Sequence, residues 1–169
     1  MRASLLRTGA SSAASGGEFR RFEACSREVD MQAKDIMTSH PRCCAAGDSV
    51  EAVAALMREA DVGEIPVVDA QRKLLGVITD RDIIVRCVAA GDAPGSSRVQ
   101  DYMTAPAQQL GEDASLEQLA NLMVHEAIRR VPITDGEGRL SGMVALADLE
   151  RTKARSLKSR IARGVSRPP

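Results

Sequence analysis

The sequence predicts an α/β protein in which one unit, with the order strand–helix–strand–strand–helix, occurs twice. The first observation is a repeat, because a shift of 66 positions, as from Met37 to Met103, aligns the two halves without a gap. The second is that each half contains short apolar, β-branched runs typical of buried strands, and the third is that helix-capping residues follow such runs. The recurring residues are Asp35, Met37, Thr38, Ser49, Glu51, Pro66, Asp69, Leu74, Gly76 and Asp82 in the first half and Asp101, Met103, Thr104, Ser115, Glu117, Pro132, Asp135, Leu140, Gly142 and Asp148 in the second.

The first copy of the unit is assigned to residues 31–92. Ser49 is predicted to cap a helix that Gly63 ends, because the apolar residues between them fall on one helical face. Pro66 restricts its strand to an edge-like or irregular position, and Gly91 closes the last helix. The predicted elements are a strand at 42–46, a helix from Val50, strands at 65–68 and 74–78, and a helix at 80–90.

The second copy, residues 99–152, follows a linker at 93–98 that is rich in Gly, Pro and Ser. Ser115 and Gln118 predict a capping box at the start of its first helix. Its remaining predicted elements are strands at 131–134 and 140–144 and a final helix from Ala147.

The two ends of the chain differ in composition from the repeat. Residues 1–30 are rich in Ser, Ala, Gly and Arg, with no acidic residue before Glu18, and are predicted to form a disordered N-terminal segment. The alternatives are translation from Met31 and an organelle transit peptide. Residues 153–169 form a basic tail without an acidic residue, which we expect to be solvated or to face a partner.

Composition excludes several classes of function. The 23 basic residues equal the 23 acidic ones, and the chain has no Trp, one Tyr and two Phe, so binding to nucleic acid by charge or by base stacking is not expected. No apolar run reaches the roughly 20 residues of a membrane helix. The four cysteines form no CxxC pair, and only His40 and His125 could join them as metal ligands. We therefore expect a soluble, cytoplasmic protein.

The junction between a strand and a helix at residues 74–85 carries the most polar chemistry. Thr79 offers a hydroxyl at the helix N-cap, and Asp82 is placed to reach back to the cap amide. Free amides at such a junction suit a ligand with hydroxyl or phosphate groups. A capped helix without any ligand is the alternative explanation of the same residues.

The repeated motifs resemble the cystathionine β-synthase (CBS) domain, which occurs in tandem pairs. The family motifs stand here as an Asp-Ile-Met-Thr opening segment at 35–38, an Ile-Pro-Val-Val-Asp strand at 65–69 and a Gly-x-x-Thr-x-x-Asp junction at 76–82. The second copy carries the matching segments 66 residues later. The resemblance covers about residues 31–152 and is strongest to small stand-alone bacterial CBS pairs. It implies two βαββα units packed about a pseudo-two-fold axis.

The resemblance also implies two clefts that bind adenosine-containing ligands such as AMP, ADP, ATP or S-adenosylmethionine. In the first copy, Thr79 and Asp82 match the family's ribose-contacting hydroxyl and carboxylate, and Arg81 is an added phosphate candidate. The family's basic residue two positions before the strand proline is Glu64 here. We expect one competent cleft, at Thr79 and Asp82.

In the second copy, Arg129 and Arg130 occupy the phosphate side and Asp148 remains, but Ala145 replaces the hydroxyl. The second cleft is therefore expected to be weaker, and an arginine from this copy is expected to reach the phosphates of the first cleft. The predicted ligand-binding residues are Thr38, Ile65, Pro66, Val77, Thr79, Arg81, Asp82, Arg129, Arg130 and Asp148.

These observations favour a regulatory adenine-nucleotide sensor over an enzyme. The sequence contains no Ser/His/Asp arrangement, no metal-ligand spacing and no Walker loop. The resemblance implies a homodimer that needs no obligatory cofactor and acts on an unknown protein partner or through its own oligomer. The alternative is a structural, dimerising interaction module whose ligand sites are degenerate. A weaker alternative is a nucleic-acid accessory protein that uses the basic tail.

Overall fold

The computed structural model describes residues 31–152, which belong to one compact unit. The predicted N-terminal segment 1–30 and basic tail 153–169 lie outside the described residues. In chain order the elements are α1 (Ala33–Ile36), β1 (Thr38–Ser39), β2 (Cys44–Ala45), α2 (Val50–Ala60), β3 (Glu64–Val68), β4 (Leu74–Thr79), α3 (Asp80–Asp82), a π-helical segment (Ile83–Val88), a 3-10 turn (Val99–Asp101), β5 (Leu110–Gly111), α4 (Leu116–His125), β6 (Arg130–Thr134), β7 (Leu140–Ala145) and α5 (Leu146–Arg151).

Two sheets confirm the predicted α/β fold with two repeated units. One sheet has the strand order β2–β3–β4, and the other has the order β1–β7–β6–β5. In both copies the first short strand pairs parallel to the next strand, which then pairs antiparallel to the last one. The order strand–helix–strand–strand–helix is therefore the same in each copy, as the repeat predicts.

The opening segment of each copy belongs to the sheet of the other copy. Strand β1 lies antiparallel to β7, with Thr38 opposite Met143. Thr104, the equivalent of Thr38, forms the matching bridge to Val77 on β4. Each copy's opening segment thus pairs with the last strand of the other copy and links the two halves.

The hydrophobic core shows the same exchange. The first copy's α2, β3 and β4 surround one cluster of buried aliphatic side chains, and the second copy's α4, β6 and β7 surround another. Ala33 of the first copy is fully buried in the second cluster, and its repeat equivalent Val99 is fully buried in the first. The cores therefore depend on each other.

The helix starts confirm the predicted caps. The Ser49 hydroxyl accepts a hydrogen bond from the amide of Ala52 at 3.2 Å. At α4 the Ser115 hydroxyl accepts from the Gln118 amide at 3.2 Å, and the Gln118 side chain accepts from the Ser115 amide at 2.8 Å. These contacts satisfy amides that have no partner inside the helix.

One prediction about special residues is wrong, and another is confirmed in one of its two alternatives. Helix α2 ends at Ala60 rather than at Gly63, and Asp61 takes a left-handed conformation, with φ 52°. Strand β3 is the middle strand of its sheet rather than an edge, yet it tolerates Pro66 because β2 pairs only with Val67 and Val68. A register shift between those two residues keeps the strand irregular.

The predicted helix at 80–90 is mostly π-helical. Only Asp80–Asp82 is α-helical, and Ile83–Val88 winds more widely, with the Ala89 amide donating to the Ile84 carbonyl. The consecutive β-branched residues Ile83, Ile84 and Val85 have a low α-helix propensity because their side chains crowd the preceding turn. Within residues 31–152, no helix is both long enough and apolar enough to span a membrane.

Candidate functional site

At the first junction β4 leads into α3, and the side chains of Thr79 and Asp82 bind each other. Asp82 Oδ2 accepts from the Thr79 amide at 3.0 Å and from the Thr79 hydroxyl at 2.7 Å. The same hydroxyl accepts from the Asp82 amide at 3.1 Å, which completes the predicted capping box. The other carboxylate oxygen, Oδ1, lies 3.3 Å from Nε of Arg86.

Arg86 also reaches the opening segment of the second copy. Its Nη1 donates to the carbonyl of Tyr102 at 3.0 Å and lies 3.5 Å from the Thr104 hydroxyl. The contact of Asp82 with this segment therefore runs through Arg86. The sequence analysis missed Arg86, because the equivalent position is Thr152 and the repeat gives no signal there.

The second junction, between β7 and α5, has the same backbone contact with fewer side-chain partners. Asp148 Oδ2 accepts from the Ala145 amide at 2.8 Å, but Ala145 has no hydroxyl to donate. Oδ1 of Asp148 lies 3.2 Å from Nη1 of Arg151, whose side chain is 80% exposed. The Arg129 carbonyl accepts from the Leu146 amide at 2.8 Å and fixes the start of α5.

A cavity of about 480 Å³ opens beside this second junction. Its walls come from the segment around β1, the end of α2, the start of β3, the start of β6 and the β7–α5 junction. The lining residues are Thr38, His40, Pro41, Arg42, Ala60, Val62, Glu64, Ile65, Pro66, Arg130, Met143, Ala145, Ala147, Asp148 and Arg151.

The structure divides the predicted ligand-binding residues between the two junctions. The cavity brings together Thr38, Ile65, Pro66, Arg130 and Asp148, which come from both copies. The others lie apart from this cavity: Val77, Thr79, Arg81 and Asp82 on the β4–α3 side, and Arg129 just before β6. The first copy's opening segment and proline strand thus face the second copy's aspartate.

Sequence reasoning missed three charged or titratable residues of this cavity. His40 and Arg42 follow β1, and Arg151 ends α5. Their repeat equivalents are Pro106, Gln108 and Val85, so a comparison of the copies gives no signal for them. His40 has a φ of 52°, a left-handed conformation that is uncommon for non-glycine residues in general, although histidine adopts it more often than most.

The electrostatics of the cavity are mixed. Arg42, Arg130 and Arg151 supply positive charge, whereas Glu64 and Asp148 supply carboxylates. Burial raises the pKa of Glu64 from its ordinary 4.5 to about 7; Arg130 opposes this rise, and the negative charges of Asp82 and Asp80 add to it.

The walls combine apolar and polar groups in the manner of a small-molecule site. Pro41, Ala60 and Val62 are half-buried and supply apolar surface that suits a flat ring, next to the buried Ile65, Pro66 and Met143. Carboxylate and guanidinium groups suit hydroxyls and phosphates. Among residues 31–152, no group of three or more His, Cys, Asp or Glu side chains is arranged to hold a metal ion. The arrangement can therefore bind a ligand that is apolar at one end and carries hydroxyl or charged groups at the other.

Comparison with known protein families identifies the family to which this chain belongs. The model of the CBS domain matches the chain twice, at residues 33–88 and 99–154. The chain belongs to the CBS-domain family. The first match includes the junction aspartate Asp82 and the second includes Asp148, so the geometry described above lies inside the two CBS domains.

The chain is similar to a bacterial relative and to solved structures of CBS pairs. The chain is similar to the uncharacterised protein YlbB of Bacillus subtilis, with 39% identity over 140 residues, 79% of this chain and 93% of YlbB. It is also similar to the structure of CBSX2 from Arabidopsis thaliana in complex with AMP, with a TM-score of 0.63 and 25% identity over 71% of this chain and 93% of that one. The CBS pair of protein MJ0100, in complex with 5-methylthioadenosine and S-adenosyl-L-methionine, has a TM-score of 0.65 and 26% identity over 72% of this chain and 98% of that one.

Proposed function

We propose that this CBS pair is a regulatory module that binds an adenosine-containing ligand, namely AMP, ADP, ATP or S-adenosylmethionine. The observation that carries the proposal is the cavity in which Asp148 of the second copy faces Ile65 and Pro66 of the first. Solved CBS pairs similar to this chain contain AMP or S-adenosylmethionine, which supports the ligand class.

The chemistry of the cavity supports each part of such a ligand. Its volume of about 480 Å³ falls in the usual range for small-molecule sites. The apolar surface of Pro41, Ala60 and Val62, beside the buried Ile65 and Pro66, suits adenine, and Asp148 can accept hydrogen bonds from ribose hydroxyls. The forked guanidinium of Arg130 suits a phosphate group. Ligand binding would then act on a partner or on an oligomer, without catalysis by the module itself.

The Thr79–Asp82 junction, at which the sequence predicts the competent cleft, stays a second candidate site. It has the hydroxyl that the Asp148 junction lacks, but that hydroxyl donates to Asp82 Oδ2, so Asp82 has one more side-chain partner than Asp148. A ligand that used Asp82 would have to replace Arg86, whereas at Asp148 it would have to replace only the exposed Arg151.

Calorimetric titration with AMP, ADP, ATP and S-adenosylmethionine tests the proposal, with Asp148→Ala and Asp82→Ala as a matched pair. Charged hydrogen bonds contribute roughly 1.5–3 kcal/mol, so we expect Asp148→Ala to weaken binding by about one to two orders of magnitude. Asp82→Ala should change affinity much less. Circular dichroism must show that both variants are folded, because loss of a cap costs about 1 kcal/mol of stability.

Each outcome of this titration assigns the site. A loss confined to Asp82→Ala would move the ligand to the first junction, and equal losses would indicate two sites. If none of the four ligands binds the folded wild-type protein, the sensor function is wrong. A structural, dimerising module would then be favoured, because Ala145 lacks the family's hydroxyl and the π-helical segment exposes apolar side chains.

A further inference from the structure

Glu64 and Arg130 occupy equivalent positions of the two copies and carry opposite charges. They are the first residues of β3 and β6, they lie opposite the junction residues Thr79 and Ala145, and both line the same cavity. An acidic side chain on the wall of a site for a phosphate-bearing ligand opposes that ligand whenever it is ionised. The function proposed above leaves the role of this carboxyl group unexplained.

The start of β3 keeps two further carboxylates near Glu64. The Asp80 amide donates to the Gly63 carbonyl at 3.0 Å, and a Cβ atom at Gly63 would lie only 2.8 Å from Oδ2 of Asp80. Gly63 therefore allows α3 to approach β3 closely, so that the charges of Asp80 and Asp82 act on Glu64.

The charges that face Glu64 from other elements have mixed signs. Arg130 on β6 attracts its carboxylate, and Asp80 and Asp82 on α3 repel it. The cavity wall adds His40 and Arg42 from the loop after β1, and Asp148 and Arg151 from α5. Burial raises the pKa of Glu64 to about 7, against the attraction of Arg130 and with the repulsion of Asp82 and Asp80, so Glu64 exchanges its proton near neutral pH.

We propose that Glu64 determines the charge of the ligand that this cavity accepts, which rests on the function proposed above. When a phosphate-bearing adenosine ligand is bound, Glu64 is protonated, so a Glu64 that was ionised before binding takes up a proton from solvent. When a cationic ligand such as S-adenosylmethionine is bound, Glu64 is ionised, so a Glu64 that was protonated before binding releases its proton to solvent. The physical reason is that a nearby anion favours the neutral carboxyl and a nearby cation favours the carboxylate.

The two ligand charges predict opposite dependences on pH. An anionic ligand raises the pKa of Glu64 above its value in the free protein, so AMP should bind up to about tenfold more weakly per pH unit above about pH 7. A cationic ligand lowers that pKa, so S-adenosylmethionine should bind up to about tenfold more tightly per pH unit as the pH rises toward about 7.

The experiment is calorimetric titration of the full chain with AMP and with S-adenosylmethionine from about pH 6 to about pH 8.5, in two buffers of different ionisation enthalpy. Glu64→Gln should remove the part of the pH dependence of ligand affinity that arises from the protein. It should also remove the difference in binding heat between the two buffers that corresponds to the transfer of about one proton. Ionisation of the ligands themselves is the same for wild type and variant, so it cancels in the comparison.

Three further variants serve as controls. Glu59→Gln removes an exposed glutamate of α2 and should keep the wild-type pH dependence. His40→Asn should also keep it, which separates Glu64 from the imidazole in the cavity wall. Asp80→Asn should keep the dependence but move its midpoint to lower pH, because it removes a negative charge that acts on Glu64.

The outcomes separate this inference from the function on which it rests. If AMP or S-adenosylmethionine binds and Glu64→Gln keeps the wild-type pH dependence, the role of Glu64 is wrong and the ligand site stands. If the dependence disappears in His40→Asn instead, the imidazole is responsible and the inference is again overturned. If neither ligand binds any folded variant, the proposed function fails, and the role of Glu64 fails with it.

Discussion

Thr79 and Ala145 occupy the same position in the two copies but leave their aspartates with different numbers of partners. In both copies the residue's amide donates to Oδ2 of the aspartate three positions later. Only Thr79 adds a hydroxyl donor, which binds Asp82 at 2.7 Å. The missing hydroxyl therefore leaves Asp148 with more capacity to accept hydrogen bonds from the cavity. From the sequence alone, Ala145 had suggested a weaker second cleft.

Restoring that hydroxyl should change stability in a predictable direction. In Ala145→Thr the new side chain can accept from the Asp148 amide, as Thr79 accepts from Asp82, and we expect a gain of about 0.5–2 kcal/mol in the free energy of unfolding. Thr79→Ala is the matched control and should lose a similar amount. Urea denaturation measures both, and an unchanged or lower midpoint for Ala145→Thr would contradict the prediction.

At the scale of elements, the exchanged opening segments explain why glycine recurs at Gly76 and Gly142. Each glycine lies in the strand on which the other copy's opening segment packs. A Cβ atom at Gly76 would lie 2.6 Å from the carbonyl oxygen of Thr104, which is backbone. At Gly142 the contacts would be with Sδ, Cγ and Cβ of Met37; a change of rotamer can move Sδ and Cγ, and the Cβ contact at 3.1 Å would remain.

We therefore expect Gly76→Ala to destabilise the protein more than Gly142→Ala does. Forcing apart two backbone segments costs about 1–3 kcal/mol, whereas a flexible methionine adapts at lower cost. Gly47→Ala is the control, because no atom lies within 4 Å of a Cβ placed there. Chemical denaturation compares the three variants. Equal midpoints for Gly76→Ala and Gly47→Ala would show that the exchanged segment is not tightly held.

At the scale of the whole molecule, the π-helical segment presents apolar side chains that the described residues leave uncovered. Ile84, Val85 and Val88 are 59%, 53% and 47% exposed, whereas Ile83 and Cys87 of the same segment are buried in the core. Contiguous exposed apolar surface of this kind commonly marks a protein interface. It supports the expectation of a homodimer, which stays a prediction.

Replacement of the central apolar side chain tests this interface. We expect the wild-type chain to sediment as a dimer at micromolar concentration and Val85→Glu to sediment as a monomer, because a buried, unpaired carboxylate opposes association. Leu75→Glu is a matched control on β4, where the side chain is 37% exposed, and should stay dimeric. A monomeric wild type, with and without nucleotide, would contradict the dimer.

Local and periodic features of this protein could be predicted from its sequence. The repeat of 66 residues gave the two units, the order of their elements and the positions of Asp82 and Asp148. The caps at Ser49, Thr79 and Ser115 were also predictable, because each depends on residues only three positions apart. The helix end at Asp61 was missed, because a non-glycine residue took the left-handed conformation.

Only the tertiary structure decided which residues share a cavity. Thr38, Pro66 and Asp148 lie far apart in sequence and meet because β1 crosses to β7 of the other copy. The placement of Glu64 beside Arg130 depends on the same packing. A repeat identifies equivalent positions but not which copy's strand faces which copy's junction, because that choice rests on contacts between residues more than 100 positions apart.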